Sequence, residues 1–393
     1  MTGAYMSLFR VSRRTGPRQI LFAGCGFLLC LWIFLYSPPA LVAVPNGNVT
    51  ITEALNWKDI REFNVEGRGW NDTKAFYDRL PARAESLVRP EVWNLSRQSA
   101  GLQVRFVSDA TSISARWALT STNLAMPNMA AIGCSGLDLY VRTERGDWRW
   151  LGVGQPKAQT NTATLISGMP AGEREYLLYL PLFNDPELVE LGVPTNSYLR
   201  KAGPWGSGER KPIVFYGTSI LQGLGAERPG LAHCAILGRR FNWPTINLGF
   251  SGHGRMEPEL AELLAELDPA VYVLDCLPNM NAEQVTERVE SFVAKLRGAH
   301  PHTPILLVED RVYANAYLTP GRAAFHRANH AALRAAFERL QKSGVKNIYY
   351  LPAAHLFGDD GEWTVDGSHP NALGFMRQAD AFAKVLGPLL PTP

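Results

Sequence analysis

Ile213-Val214-Phe215-Tyr216-Gly217-Thr218-Ser219-Ile220-Leu221-Gln222-Gly223 is an apolar run that stops at a glycine, presents one serine and turns through a second glycine. An unbroken apolar run bounded by glycine predicts a strand buried on both faces, the kind found in parallel sheets. In open α/β sheets ligands bind just outside the carboxyl ends of the strands, so a serine placed there stands where a site is expected. Ser219 is therefore a candidate nucleophile, and the rest of the chain decides whether it has partners.

Downstream, strand and helix patterns alternate. Strands are expected at 245–250, 271–277, 305–309 and 347–351, and helices at 231–241, 257–267, 282–297, 322–342 and 372–386. Apolar strands separated by amphipathic helices call for a parallel sheet covered on both faces, a doubly wound α/β domain over residues 212–393.

Upstream, residues 201–211 hold three glycines and a proline among charged residues and carry no periodicity, which predicts a linker. Residues 44–200 read as β. Leu102, Val104 and Phe106 alternate with polar residues, Ser108-Asp109-Ala110 marks a turn, and Ile113, Ala115 and Trp117 alternate again, predicting a hairpin with one buried face. A second hairpin is expected from 137–141 and 148–153 around Gly146, with further strands at 162–166 and 176–182. Short strands separated by glycine and proline point to a jelly-roll-like β-sandwich.

Residues 1–43 differ from both. Arg10, Arg13, Arg14 and Arg18 precede an uncharged apolar run at 20–36, which is followed by small residues and prolines. This is the layout of a secretory signal, and the run is also long enough to remain as a membrane anchor. Either way the catalytic part is expected outside the cytoplasm, secreted, periplasmic or membrane-anchored. The composition, 46% hydrophobic and 19% charged, is that of a globular protein, and a formal net charge of +3 is too small to argue for nucleic acid, which is not expected as a partner. Cys134, Cys234 and Cys276 are isolated, without the spacing of a zinc site or a disulfide framework.

The chemistry comes from four short stretches. A serine hydroxyl is inert at neutral pH unless an imidazole takes its proton, and the imidazole needs a partner to fix its tautomer. Asp366-Gly367-Ser368-His369, just before the last helix, offers His369 as base and Asp366 as its orienter. Acyl transfer by serine also needs donors aimed at the developing oxyanion. The N–H groups of Ser219 and of Gly252, in the glycine-rich stretch after the second strand, and the side chain of Asn279 after the third, are candidates.

Serine, glycine and asparagine at the first, second and third strand ends and Asp-x-x-His before the last helix, in that order, resemble the SGNH (GDSL-type) hydrolase family. The resemblance implies a flavodoxin-like α/β/α sandwich, Ser219 as nucleophile, Asp366 and His369 completing the triad, and Ser219, Gly252 and Asn279 forming the oxyanion hole. Gly217-Thr218-Ser219-Ile220 stands where Gly-Asp-Ser-Leu is usual, and Pro278-Asn279-Met280 where Gly-x-Asn-Asp is usual. Gly136-Leu137-Asp138-Leu139-Tyr140 fits the Gly-x-Asp-Leu-Tyr signature of a subgroup with an N-terminal β-domain. The Gly-x-Ser-x-Gly elbow of α/β-hydrolases is not met, since Leu221 takes its last position.

His253, beside Gly252, and Glu309 and Asp310, at the end of the fourth strand, are candidates for substrate contact at the same rim. His326 and His330 lie one helical turn apart but lack a third ligand, so a solvated helix face is expected rather than a metal. No metal, nucleotide or other cofactor is expected. The reading is an exported serine esterase acting on small acyl esters, acetyl in the first place, borne on carbohydrate. A lipid or general carboxylesterase and an inactive glycan-binding protein are the alternatives.

Overall fold

Residues 54–206 and 208–391 are described by the computed structural model of the chain. The apolar run at 20–36 falls outside them; among the described residues no helix is long and apolar enough to cross a membrane.

Among the described residues ten strands come first: β1 (Leu55–Asp59), β2 (Val65–Glu66), β3 (Gln103–Ser108), β4 (Ile113–Leu119), β5 (Leu137–Arg142), β6 (Trp148–Gly154), β7 (Thr160–Ile166), β8 (Arg174–Tyr179), β9 (Pro186–Pro194) and β10 (Leu199–Lys201). Two short helices, α1 (Pro90–Ser96) and α2 (Ala131–Ser135), interrupt them. The strands form two antiparallel sheets, one ordered β1-β9-β4-β7 and one ordered β10-β3-β8-β5-β6, with β2 also paired to β3. Phe106, Tyr176 and Leu178 from one sheet and Trp117, Val189 and Leu191 from the other share a single core.

The expected hairpin of β5 and β6 is present, with Leu137 opposite Gly154. The one expected over 102–117 is not. β3 pairs with β8 whereas β4 pairs with β7 and β9, so the turn at Ser108-Asp109-Ala110 carries the chain from one sheet to the other. Nor do the polar positions of β3 face water. Arg105 is buried, paired with Glu66 at 2.8 Å and Glu175 at 2.6 Å beneath the ring of Trp205. A strand with a buried ionic face has the same two-residue period as one with a solvated face, and alternation does not separate them. The same cluster ties down the stretch expected to be a linker, since Trp205 Nε1 donates to Glu66 at 2.8 Å.

Five parallel strands follow: β11 (Ile213–Gly217), β12 (Thr245–Gly249), β13 (Val271–Asp275), β14 (Ile305–Val308) and β15 (Ile348–Leu351), in the order β12-β11-β13-β14-β15. The helices are α3 (Ser219–Gln222), α4 (His233–Phe241), α5 (Pro258–Leu264), α6 (Ala282–Ala299), α7 (Pro320–Lys342) and α8 (Ala372–Leu386). Alternate strand residues point to opposite faces. Ile213 and Phe215 pack with Ile236 of α4 and Phe382 of α8, while Val214 and Tyr216 pack with Leu260 of α5, Phe292 of α6 and Leu333 of α7. With helices on both faces every position of β11 is buried, which is why its sequence shows no polar alternation. This is the flavodoxin-like order, and it reverses at β11, leaving a crevice beyond Gly217.

The two sheet regions belong to one compact unit, Thr52–Pro393. The outer face of the six-stranded sheet lies on α4, where Tyr179 Oη donates to the carbonyl of Ala235 at 3.3 Å and accepts from Arg239 at 3.0 Å. Asp138 is fully buried and takes three donors: Arg228 and the Gly230 N–H at 2.8 Å each, and Trp150 Nε1 at 3.0 Å. Gly230 comes so close that a Cβ there would stand 2.6 Å from the Tyr140 ring. The Gly-Leu-Asp-Leu-Tyr stretch is thus a clamp between the β region and the loop that leads into α4.

Candidate active site

β11 ends on glycine for a steric reason: a Cβ at Gly217 would meet the carbonyl oxygen of Asp275 at 2.5 Å. Thr218 is still extended, Ser219 opens α3, and Gly223 at φ +111° closes it after one turn. Ser219 thereby stands at the crevice, 6% exposed, with its Oγ 3.0 Å from His369 Nε2.

The loop that presents His369 is locked from within. Asp366 Oδ1 accepts the backbone N–H groups of Ser368 at 3.0 Å and His369 at 2.8 Å, while Oδ2 faces His369 Nδ1 at 2.7 Å. Thr364 Oγ1 donates to the His369 carbonyl at 2.8 Å, and Gly367 turns the chain at φ +89°. Burial pushes the Asp366 carboxyl up. The backbone N–H of His369, the side chains of Asn128 and His369 and the backbone N–H of Ser368 outweigh it and hold that carboxyl well below the usual carboxylate range. An ionised Asp366 keeps the Nδ1 proton in place and leaves Nε2 as an acceptor for the Ser219 hydroxyl.

The expected donors gather at the same strand ends. The loop after β12 folds onto β11: Phe250 N–H donates to the Gly217 carbonyl at 3.0 Å, and a Cβ on Gly254 would lie 2.0 Å from that oxygen. Gly252 lies within this loop at φ +76°. Among the described residues, neither its N–H nor that of Ser219 donates to a protein acceptor. Asn279 sits in a single turn after β13, and its side-chain amide has no protein partner among the described residues, the oxygen being buried.

The remaining candidates divide. His253 lies in the Gly252 loop with Nδ1 2.9 Å from the Arg89 guanidinium, so that nitrogen is an acceptor and Nε2 carries the proton. Burial and then the charges of Arg89 and Arg255 lower its pKa. Asp310 is not a substrate contact. It is fully buried between Arg311, paired with one oxygen, and His326 Nδ1, 3.0 Å from the other. Glu309 lines a surface cavity with His330 and Trp363, and its oxygens accept from the Tyr350 hydroxyl and the Ala353 N–H, tying β14 to the end of β15. His326 is not on a solvated face, being 1% exposed.

Several contributors carry no motif. Arg79, buried in the β region, donates to the carbonyls of Asn247 at 3.0 Å and Gly249 at 2.8 Å and so caps the end of β12. Gln222 accepts the Ser251 N–H at 3.0 Å, fixing the loop of Gly252, and donates to Gln98 at 2.6 Å. Arg311 donates to Ser368 Oγ, at 3.1 Å from Nε, and Asn128 donates to Asp366 at 2.8 Å. The signal that would have found them is tertiary, since each partner lies far along the chain.

Residues 210–387 match the model of the GDSL-like lipase/acylhydrolase family, and residues 55–199 match GxDLY, the N-terminus of SGNH-hydrolase-type esterases. A crystal structure of a protein assigned as a GDSL-like lipase from Bacteroides ovatus is 34% identical, with a TM-score of 0.81 over 86% of this chain and 98% of that one. The chain belongs to the GDSL-type, or SGNH, hydrolase family. Other solved structures share the fold of this SGNH hydrolase at lower identity. The salicylyl-acyltransferase SsfX3 from a tetracycline biosynthetic pathway is 20% identical, with a TM-score of 0.69 over 85% of this chain and 97% of its own. The acetyl xylan esterase Est2A from the rumen bacterium Butyrivibrio proteoclasticus is 11% identical, with a TM-score of 0.54 over 85% of this chain and 100% of its own. No curated protein matches the SGNH hydrolase in sequence.

Proposed function

We propose that this ester hydrolase works through Ser219, His369 and Asp366, and that its substrate is a small acyl ester, acetyl in the first place, on a carbohydrate outside the cytoplasm. The observation that carries the mechanism is the continuous chain from Ser219 Oγ through His369, at 3.0 Å and 2.7 Å, to an ionised Asp366. His369 Nε2 takes the hydroxyl proton as Ser219 Oγ attacks the ester carbonyl. The N–H groups of Ser219 and Gly252 and the Asn279 amide receive the oxyanion. His369 returns the proton to the leaving alcohol, an acyl-enzyme remains, and water attacks it by the same route in reverse.

The acyl group and the carbohydrate are supported by likeness of fold to Est2A, an argument by analogy. Export is supported by the basic flank and the apolar run at 20–36. The test is acetate release from acetylated glycans and from an aryl acetate, with Ser219→Ala beside the wild type. Turnover of both substrates, lost in the variant, supports the whole reading. Turnover of the aryl ester alone keeps the serine mechanism and rejects the carbohydrate. Silence on both, from folded protein, rejects the small acyl group and directs attention to longer chains.

A further inference from the structure

Asp366 has four hydrogen-bond donors, and one of them comes from the β region. Two are backbone N–H groups of its own loop and the third is His369 Nδ1; the fourth is Asn128 Nδ2, which reaches Oδ2 at 2.8 Å across 238 residues of sequence. A carboxylate with four donors has its lone-pair directions occupied and no freedom to rotate. Without Asn128, Oδ2 would hold only the imidazole.

The placement of Asn128 is built. It stands in the tight turn Met126-Pro127-Asn128-Met129, closed by two backbone hydrogen bonds between Met126 and Met129, of 3.0 and 3.1 Å. Met129 is buried in the core that holds Ile220, Leu221 and Leu224 from the far side of the serine. Just beyond, Gly133 touches the loop before α4 so closely that a Cβ would stand 2.0 Å from the Ala226 carbonyl. Met126, partly buried, packs against the same core, so the turn is moored in the α/β region on both sides of the amide it presents.

We propose that Asn128 is a positioning residue of the catalytic system, through which the β region orients Asp366 and so sets the proton affinity of His369. The inference rests on the Ser219, His369 and Asp366 reading of the site. A donor on Oδ2 competes with the imidazolium for that oxygen's charge, so removing it strengthens the hold of Asp366 on protonated His369. The other charged groups nearby are Arg311, which reaches the loop through Ser368 with Asp310 behind it, and Glu227, which accepts the Ala372 N–H at 3.0 Å. None of them replaces Asn128.

The experiment measures kcat and KM for an aryl acetate across pH in the full chain, in Asn128→Ala and in Asn128→Asp, with Ser219→Ala as reference and thermal melts of each. Asn128→Ala is expected to lower kcat about tenfold, the size of one charge-assisted hydrogen bond, with KM within about twofold. The acid limb of kcat/KM should move to higher pH in Asn128→Ala and further in Asn128→Asp, which adds a charge beside Asp366. Superimposable pH profiles for the three proteins, or a loss seen only in KM or in melting temperature, overturn the proposal. Activity retained in Ser219→Ala instead overturns the mechanism on which it rests.

Discussion

The α/β region contains two aspartate–histidine pairs built alike, and only one of them has something to act on. Asp366 and His369 meet at 2.7 Å, Asp310 and His326 at 3.0 Å, each through Nδ1. In both, the second nitrogen accepts a hydrogen bond. For His326 it comes from the Tyr313 backbone N–H at 3.3 Å, which has no proton to give up; for His369 it comes from the Ser219 hydroxyl at 3.0 Å, which has. The second difference is access. His326 and Asp310 are 1% and 0% exposed, whereas the side chains of His369 and Asp366 retain 21% and 30%. On the proposed mechanism the same pair of side chains is a fastening in one place and a base in the other, decided by what faces Nε2 and by access. The two are joined, for Asp310 holds Arg311, and Arg311 grips Ser368 beside His369.

The contrast is broken most severely at the serine. Ser219→Ala and His369→Ala are each expected to lower kcat by about 10⁴-fold or more without lowering the melting temperature, measured on an aryl ester with protein checked by circular dichroism. Asp366→Asn should follow at about 10³- to 10⁴-fold, because it favours the wrong tautomer of His369. The matching change in the buried pair, Asp310→Asn, leaves Arg311 without its buried counter-charge. It should cost about 3 kcal/mol in urea unfolding while kcat per folded molecule falls by less than about tenfold. If Asp310→Asn instead removed activity as completely as Asp366→Asn and left stability intact, the division between fastening and base would be wrong.

Asp275 gives an effect on stability alone, and one that changes with pH. It ends β13 beside Gly217, is buried with Oδ2 unpartnered among the described residues, and its carboxyl is pushed up to about 7, first by burial and then by Asp310, with Arg311 opposing. Between about pH 4 and pH 7 the folded protein holds a proton that the unfolded chain has released, so stability falls as pH rises through that window and stays lower above it. Asp275→Asn removes the cost. Its melting temperature should exceed that of the wild type at pH 8 and equal it near pH 4. An offset that does not change with pH would rule out the ionisation of Asp275 as its source.

Much of this was legible without coordinates, because the α/β region writes its structure locally. Strands covered on both faces read as unbroken apolar runs, and α8 occupies the predicted 372–386. The serine, the Asp-x-x-His loop and the two donor stretches announce themselves because the turns they occupy demand particular residues. The β region is less plain. β9 begins and ends on proline and contains Gly192, a composition that argues against a strand, yet it is the strand to which β1 and β4 pair. The buried supports of the site leave no local trace. Arg79 acts on carbonyls 168 and 170 residues away, and His326 meets an aspartate 16 residues back, a separation that no helical spacing signals.

The clamp at Asp138 and Gly230 also bears on inheritance. A catalytic half that could be carried between genes would need a surface of its own where the β region now sits. Here that surface is the underside of α4, the carbonyls at the end of β12 that Arg79 satisfies, and a carboxylate waiting for the amide of Asn128. A recombination event that moved residues 212–393 alone would deliver Ser219 and His369 in a frame missing one wall. Sandwich and hydrolase moved together would keep every one of those contacts.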